Sequence, residues 1–268
     1  MCGDSATTLR VANLISFALL TAVKGFTTFS DKVAENDFLL ETYNSTQYTF
    51  TDVYILPKQY TFGIWGLIYI LLAVFVFYQQ WTESAKDMTI YGVSYHFCIA
   101  AILNIIWLII IWFIQQNERI LIIMDTLVIT TLFLFLYFIY DNLENYPTNS
   151  IANQIFVHAT FKIYLAWTFI TLIINFWIAI PTLNTIIISS IILAYLGFMG
   201  LYFLDYRKEA EFFIPATIVW ALVGIAVKQY EIWPILAVSA FSIGLITGGV
   251  LRLIYEIYQN YHDKNGGY

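Results

Sequence analysis

The chain has 268 residues, 60% of them hydrophobic and only 11% charged, where soluble domains carry roughly 25% charged residues; a water-soluble fold is excluded and an integral membrane protein expected. A formal net charge of -6 with only 12 basic residues lacks the cationic footprint that nucleic-acid binding needs. Cys2 and Cys98 are the only cysteines, one before the first apolar run and one inside another, so neither a disulfide framework nor a cysteine metal site is suggested.

A hydrocarbon core about 30 Å thick takes about 20 apolar residues per helix. In chain order that measure gives an all-α protein of eight spans, at about 10–30, 60–80, 92–115, 119–141, 157–180, 183–204, 211–228 and 232–257. The first run, interrupted by Lys24, has no small-residue cleavage pattern and reads as a retained helix. The connection 31–59 that follows is long and acidic, and its Asn44–Thr46 sequon makes Asn44 a glycosylation candidate on the expected external side. Pro57, Pro181 and Pro234 stand at or just before span starts, where a missing N–H is harmless. Eight spans place both termini on one side, and the distribution of basic residues favours the cytoplasm for them.

Four consecutive spans carry polar or aromatic stripes. In the second, "YTFGIWGLIY" puts Phe62, Trp65 and Tyr69 on one face; in the third, "ILNIIWLIIIWF" puts Asn104 and Trp107 three apart. The fourth, "RILIIMDTLVI", carries Asp125, an acid that costs about 2.5 to 3.5 kcal/mol at the midplane and therefore faces the bundle interior. In the fifth, Trp167, Thr171 and Asn175 fall at i, i+4 and i+8. At 1.5 Å per residue, Trp65, Asn104, Trp107, Asp125 and Asn175 lie ~7 to ~16 Å inside the face that carries the long connection. Two readings stay open: a shared ligand chamber, or helix bridges worth about 0.6 kcal/mol each.

These stripes resemble the TspO/MBR family of tryptophan-rich translocator proteins. "FGIWGLIY" is similar to its second-helix motif, "LNIIW" to the third, "MDTLVI" to the aspartate-led fourth, and "YLAW" with Asn175 to the fifth, in family order over roughly residues 10–180. The resemblance implies a five-helix ligand-binding bundle (1–180), followed by a C-terminal membrane extension (181–257) and a polar tail (258–268). It implies that Trp65, Asn104, Trp107, Asp125, Trp167 and Asn175 line or brace a pocket, with Ala166 and Thr171 beside them; Tyr69, one turn deeper than Trp65 on the same helix face, is expected along the same wall. Leu121 stands where many members have tryptophan, and Phe176, with no Lys or Arg until Arg207, departs from the family's sterol pattern.

Indole faces stack on flat molecules, while indole N–H and asparagine amides orient carbonyls or carboxylates. The expected partner is accordingly a planar lipophile, a tetrapyrrole in preference to a sterol, carried or sensed, alongside membrane lipids and assembly as a homodimer or within a larger membrane complex. No cofactor or metal is expected: His96 and His158 lie on the face away from the long connection and His262 in the tail. No carboxylate pair, or nucleophile beside a base, points to catalysis, although some members of the family it resembles are linked to light-dependent porphyrin breakdown, which needs only tryptophans and pigment and leaves an enzyme open. Two other classes remain, a retinal photoreceptor using Lys228 near Glu231 and an accessory subunit with a vestigial pocket.

Overall fold

The computed structural model describes residues 2–33, 53–113, 119–205 and 211–265, and among these the regular structure is helical. Eight long helices follow one another: α1 (Cys2–Val33), α2 (Ile64–Trp81), α3 (His96–Phe113), α4 (Arg119–Leu143), α5 (Thr160–Ala179), α6 (Ile186–Asp205), α7 (Phe213–Lys228) and α8 (Trp233–Asn265). Counting the turns that run into them, 7 of these segments are long and apolar enough to cross a membrane. The exception is α7. Its 16 residues make a helix about 24 Å long, short of the ~30 Å hydrocarbon core, so the even number of crossings that would put both termini on one side depends on this element. Asn44 lies outside the described residues.

Local sequence explains where the elements depart from simple apolar runs. The third span, expected from residue 92, begins instead as a π-turn over Met88–Val93, closed by the Ser94 N–H on the Thr89 carbonyl. Ser94 takes φ 51°, and α3 starts afresh at His96. The fifth span starts early because the Ser150 hydroxyl accepts the Asn153 N–H, capping a turn over Ile151–Asn153 in the manner expected of a serine N-cap. A second π-turn, Gln154–Ala159, then leads into α5. Helix α8 continues through residues 258–265, which the linear reading assigns to a polar tail.

Contacts divide the chain into two compact units. One comprises Met1–Val53 and Phe62–Pro181, the other Tyr54–Thr61 and Thr182–Tyr268. In the first, α1 packs on α2 and α3, α3 on α4, α4 on α5, and α5 returns to α2, which closes a ring of five helices. Phe75, Phe97 and Phe161 from α2, α3 and α5 are fully buried and meet edge to face at 5.0 to 6.1 Å, the arrangement that aromatic quadrupoles favour. Near that core the Asn13 amide donates to Gln79 at 3.0 Å and the Cys98 thiol to Asn13 at 3.3 Å, tying α1 to α2 and α3.

The second unit is held by close backbone approach. A Cβ on Gly197 of α6 would come within 2.6 Å of Ser242 Cβ on α8, and one on Gly249 within 2.6 Å of Leu201. Small residues at such crossings let membrane helices pack tightly without a hydrophobic driving force. The Ser242 hydroxyl fixes the pair by donating to the Leu193 carbonyl at 3.0 Å. Helix α7 packs on both partners. Its face also carries the segment Tyr54–Thr61, which a linear division of the chain at residue 180 keeps with the first five helices.

Candidate functional site

Within the first unit, the stripes of α2, α3 and α5 meet. Trp65 stands 5.0 Å from Trp107 between ring centroids, stacks on Tyr69 at 6.1 Å and takes the edge of Tyr164 at 6.1 Å. Helical spacing sets up each part: Trp65 and Tyr69 are one turn apart on α2, Asn104 and Trp107 one turn apart on α3. The Tyr69 hydroxyl donates to Asn104 Oδ1 at 3.2 Å, and Asn104 Nδ2 donates to the Tyr164 hydroxyl at 2.5 Å. One amide therefore ties three helices, and Trp65 packs on both tyrosines that bond to it.

Helix α5 continues the site. Tyr164, Trp167, Thr171 and Asn175 fall at i, i+3, i+7 and i+11, a single buried stripe about 16 Å long. Trp167 is fully buried, and Phe62, in the 3₁₀ turn Gln59–Gly63 just before α2, meets it edge to face at 5.8 Å. The Thr171 hydroxyl bonds back to the Trp167 carbonyl at 2.9 Å. Asn175 donates to Asp125 Oδ2 of α4 at 2.5 Å, both groups buried. Ala166 is buried next to Trp167.

Asn104 and Asn175, expected from sequence to line or brace a pocket, both bond to side chains of neighbouring helices. The polar atoms left over are different ones. Trp107 Nε1, Trp167 Nε1 and Asp125 Oδ1 are buried and have no hydrogen-bond partner, as is the Thr168 hydroxyl one residue beyond Trp167. A buried polar group stranded in this way costs about 1 to 3 kcal/mol, which makes two indole donors and a carboxylate oxygen, from three helices of the same unit, a feature that demands an account. Tyr164 is the participant that sequence reasoning overlooked. It sits within the "YLAW" motif, but its partner Asn104 is 60 residues away and no local spacing points to it.

The other groups weighed from sequence lie elsewhere. His96 is tucked between Phe135 and Phe138, with ring centroids 6.0 Å from each, and His158 is buried in the second π-turn. Among the described residues no three His, Cys, Asp or Glu side chains gather as metal ligands would. Lys228 closes α7, and Glu231 is exposed with the Tyr230 hydroxyl bonded to it at 2.7 Å, unlike the enclosed lysine and counter-ion that a retinal Schiff base uses.

A helical bundle with this many apolar spans, and with aromatic and amide side chains turned into one five-helix unit, is a multi-pass integral membrane protein. The sequence profile of the family described as TSPO-like protein matches residues 10–252. The chain belongs to that family. The match runs into α8, so the C-terminal helices fall within it, beyond the residues 10–180 that carry the recognisable motifs. No curated protein and no solved structure matches the chain.

Proposed function

We propose that the protein binds a planar, apolar molecule with polar edges inside its five-helix unit, a tetrapyrrole in preference to a sterol, and carries or senses it. Membership of the TSPO-like family gives the membrane setting and the general expectation of a hydrophobic ligand. The observation that carries the finer reading is the pair of buried indole N–H groups, Trp107 and Trp167, with no acceptor. Carbonyl or carboxylate oxygens on the edge of a flat ligand would accept from them, and its faces would stack on the Trp65 and Trp107 rings in place of the contact these make with each other. The Asp125 oxygen without a partner suits a donor such as a pyrrole N–H.

Protoporphyrin titrated into the purified protein should quench tryptophan emission saturably. Trp107→Phe keeps a ring but removes the N–H, and at about 1 kcal/mol for one hydrogen bond it should weaken binding roughly fivefold. Trp65→Ala removes a stacking face and should weaken it further. Cholesterol added in excess should leave the titration unchanged. A linear, unsaturable quench, or identical curves for the wild type and both variants, would exclude the proposed site.

A further inference from the structure

At one end of the five-helix unit two cations converge on a single carboxylate. Arg10 lies on α1 one turn inside the apolar stretch that begins at Ala6, about 6 Å from its start. The apolar stretch of α2 ends at Trp81, and the 3₁₀ turn Glu83–Ala85 follows. Gln80 of α2 ties the two helices at this level, its Nε2 donating to the Arg10 carbonyl at 3.1 Å. Glu83 then stands between the cations, with Oε1 3.8 Å from Arg10 Nη2 and Oε2 3.3 Å from Lys86 Nζ. Trp81 is exposed beside this turn and stacks on Phe77 with ring centroids 6.3 Å apart, as tryptophans do at the headgroup level of a bilayer.

Glu83 does not satisfy Arg10. A guanidinium has five N–H donors and no acceptor. The Arg10 side chain is only 13% exposed, and its Nε and Nη2 are buried without a hydrogen-bond partner. At 3.8 Å the carboxylate is well beyond the roughly 2.7 to 2.9 Å of a charge-assisted hydrogen bond. The Glu83 side chain is 75% exposed, and exposed ion pairs hold weakly. Asp87, next along, is exposed and pairs with neither cation. What the pair of cations lacks is an anion with several acceptor oxygens. A phosphate group has them: it takes the planar fork of an arginine on two oxygens and the point charge of a lysine on a third.

We propose that Arg10 and Lys86 form a site for a phosphate group, and that the Glu83 carboxylate holds the place this group takes. The depth of Arg10 and the neighbouring Trp81 make a lipid headgroup its source. Glu83, loosely held and facing solvent, swings out as the phosphate enters. Every residue involved belongs to the first compact unit. The site is about 24 Å along α2 from Trp65, so it stands whatever the aromatic cluster binds.

Native mass spectrometry of the full chain, released from detergent micelles, counts the molecules of phosphatidic acid bound, with phosphatidylcholine as the zwitterionic reference. The wild type should prefer phosphatidic acid. A basic residue near an anionic surface is worth about fivefold in affinity, so Arg10→Gln and Lys86→Gln should each weaken binding of the first phosphatidic acid by about that factor. Glu83→Gln should strengthen it, because the competing charge is gone; an ion pair that only braces the helices predicts no gain. Lys24→Gln, about 21 Å further along α1, should leave it unchanged. If Arg10→Gln does not fold, Lys86→Gln and Glu83→Gln, both on exposed side chains, carry the comparison. Inorganic phosphate in large excess should not displace the lipid; displacement from the wild type would uphold the phosphate site and move its source from the membrane to solution. Equal binding of phosphatidic acid by the wild type, Lys86→Gln and Glu83→Gln would overturn the site, as would a loss in Lys24→Gln as large as that in Lys86→Gln.

Discussion

Asn104 offers the most direct measure of what holds the site together. It accepts from Tyr69 and donates to Tyr164, and both Asn104 and Tyr164 are buried. Asn104→Leu keeps the volume and removes both bonds. Hydrogen bonds between membrane helices average about 0.6 kcal/mol, so the two bonds account for about 1.2 kcal/mol, and the stranded Tyr164 hydroxyl adds about 1 kcal/mol or more. The expected destabilisation is therefore about 2 kcal/mol. Tyr164→Phe alone should cost about 1 kcal/mol, and on the Asn104→Leu background much less, because the hydroxyl it removes has already lost its partner. Reversible unfolding in mixed detergent micelles, followed by tryptophan emission, gives the four corners of the cycle. A coupling of about 0.6 kcal/mol, rising to at most about 1.7 kcal/mol, is expected. Strict additivity, to within about 0.3 kcal/mol, would refute the bracing role of this amide.

Other expectations concern packing and the second amide pair. Gly197→Ala pushes a methyl into Ser242, including its Cα at 2.9 Å, and should destabilise the protein by about 1 to 3 kcal/mol; Gly66→Ala, which meets nothing within 4 Å, should be neutral or stabilising by up to about 1 kcal/mol in the same micelle assay. Asp125→Asn retains an acceptor for the Asn175 amide and should leave stability closer to the wild type than the loss of that acceptor does. Asp125→Leu strands that amide and should lower stability by about 1 to 3 kcal/mol, so equal stabilities for the two variants would argue against the pair. Gly92→Ala brings a methyl within 2.6 Å of Leu143 Cδ2, the movable end of a side chain, and a thermal shift smaller than that of Gly197→Ala is expected.

The helices are legible in the sequence because bilayer thickness converts directly into run length, and the aromatic stripes because neighbours on a helix face recur every three or four residues. Trp167, Thr171 and Asn175 follow from that spacing alone. What spacing cannot give is the partner across the bundle: nothing near Tyr164 says that Asn104 will reach it, and nothing near Asp125 names Asn175. The two π-turns, Met88–Val93 and Gln154–Ala159, escape for a related reason, since an apolar run reads the same whether it is wound with i+4 or i+5 bonds. Asn104 and Asn175 show a further limit. Sequence marks an amide inside the membrane as worth explaining, but which of its bonds are already used depends on tertiary contacts, and those shift the stranded donors to the indoles.

The path of the backbone between the two units has a consequence for how the protein can be dissected. The chain passes from one to the other after Val53, back after Thr61 and over again after Pro181. A polypeptide ended near residue 181 would carry Tyr54–Thr61 without the Trp220 indole and the Gly224 carbonyl that hold it, and one begun there would leave those two groups with nothing to grip. A cut at that point therefore divides the second unit itself, and a fragment meant to isolate the motif-bearing helices carries a piece of the other unit with its partners removed.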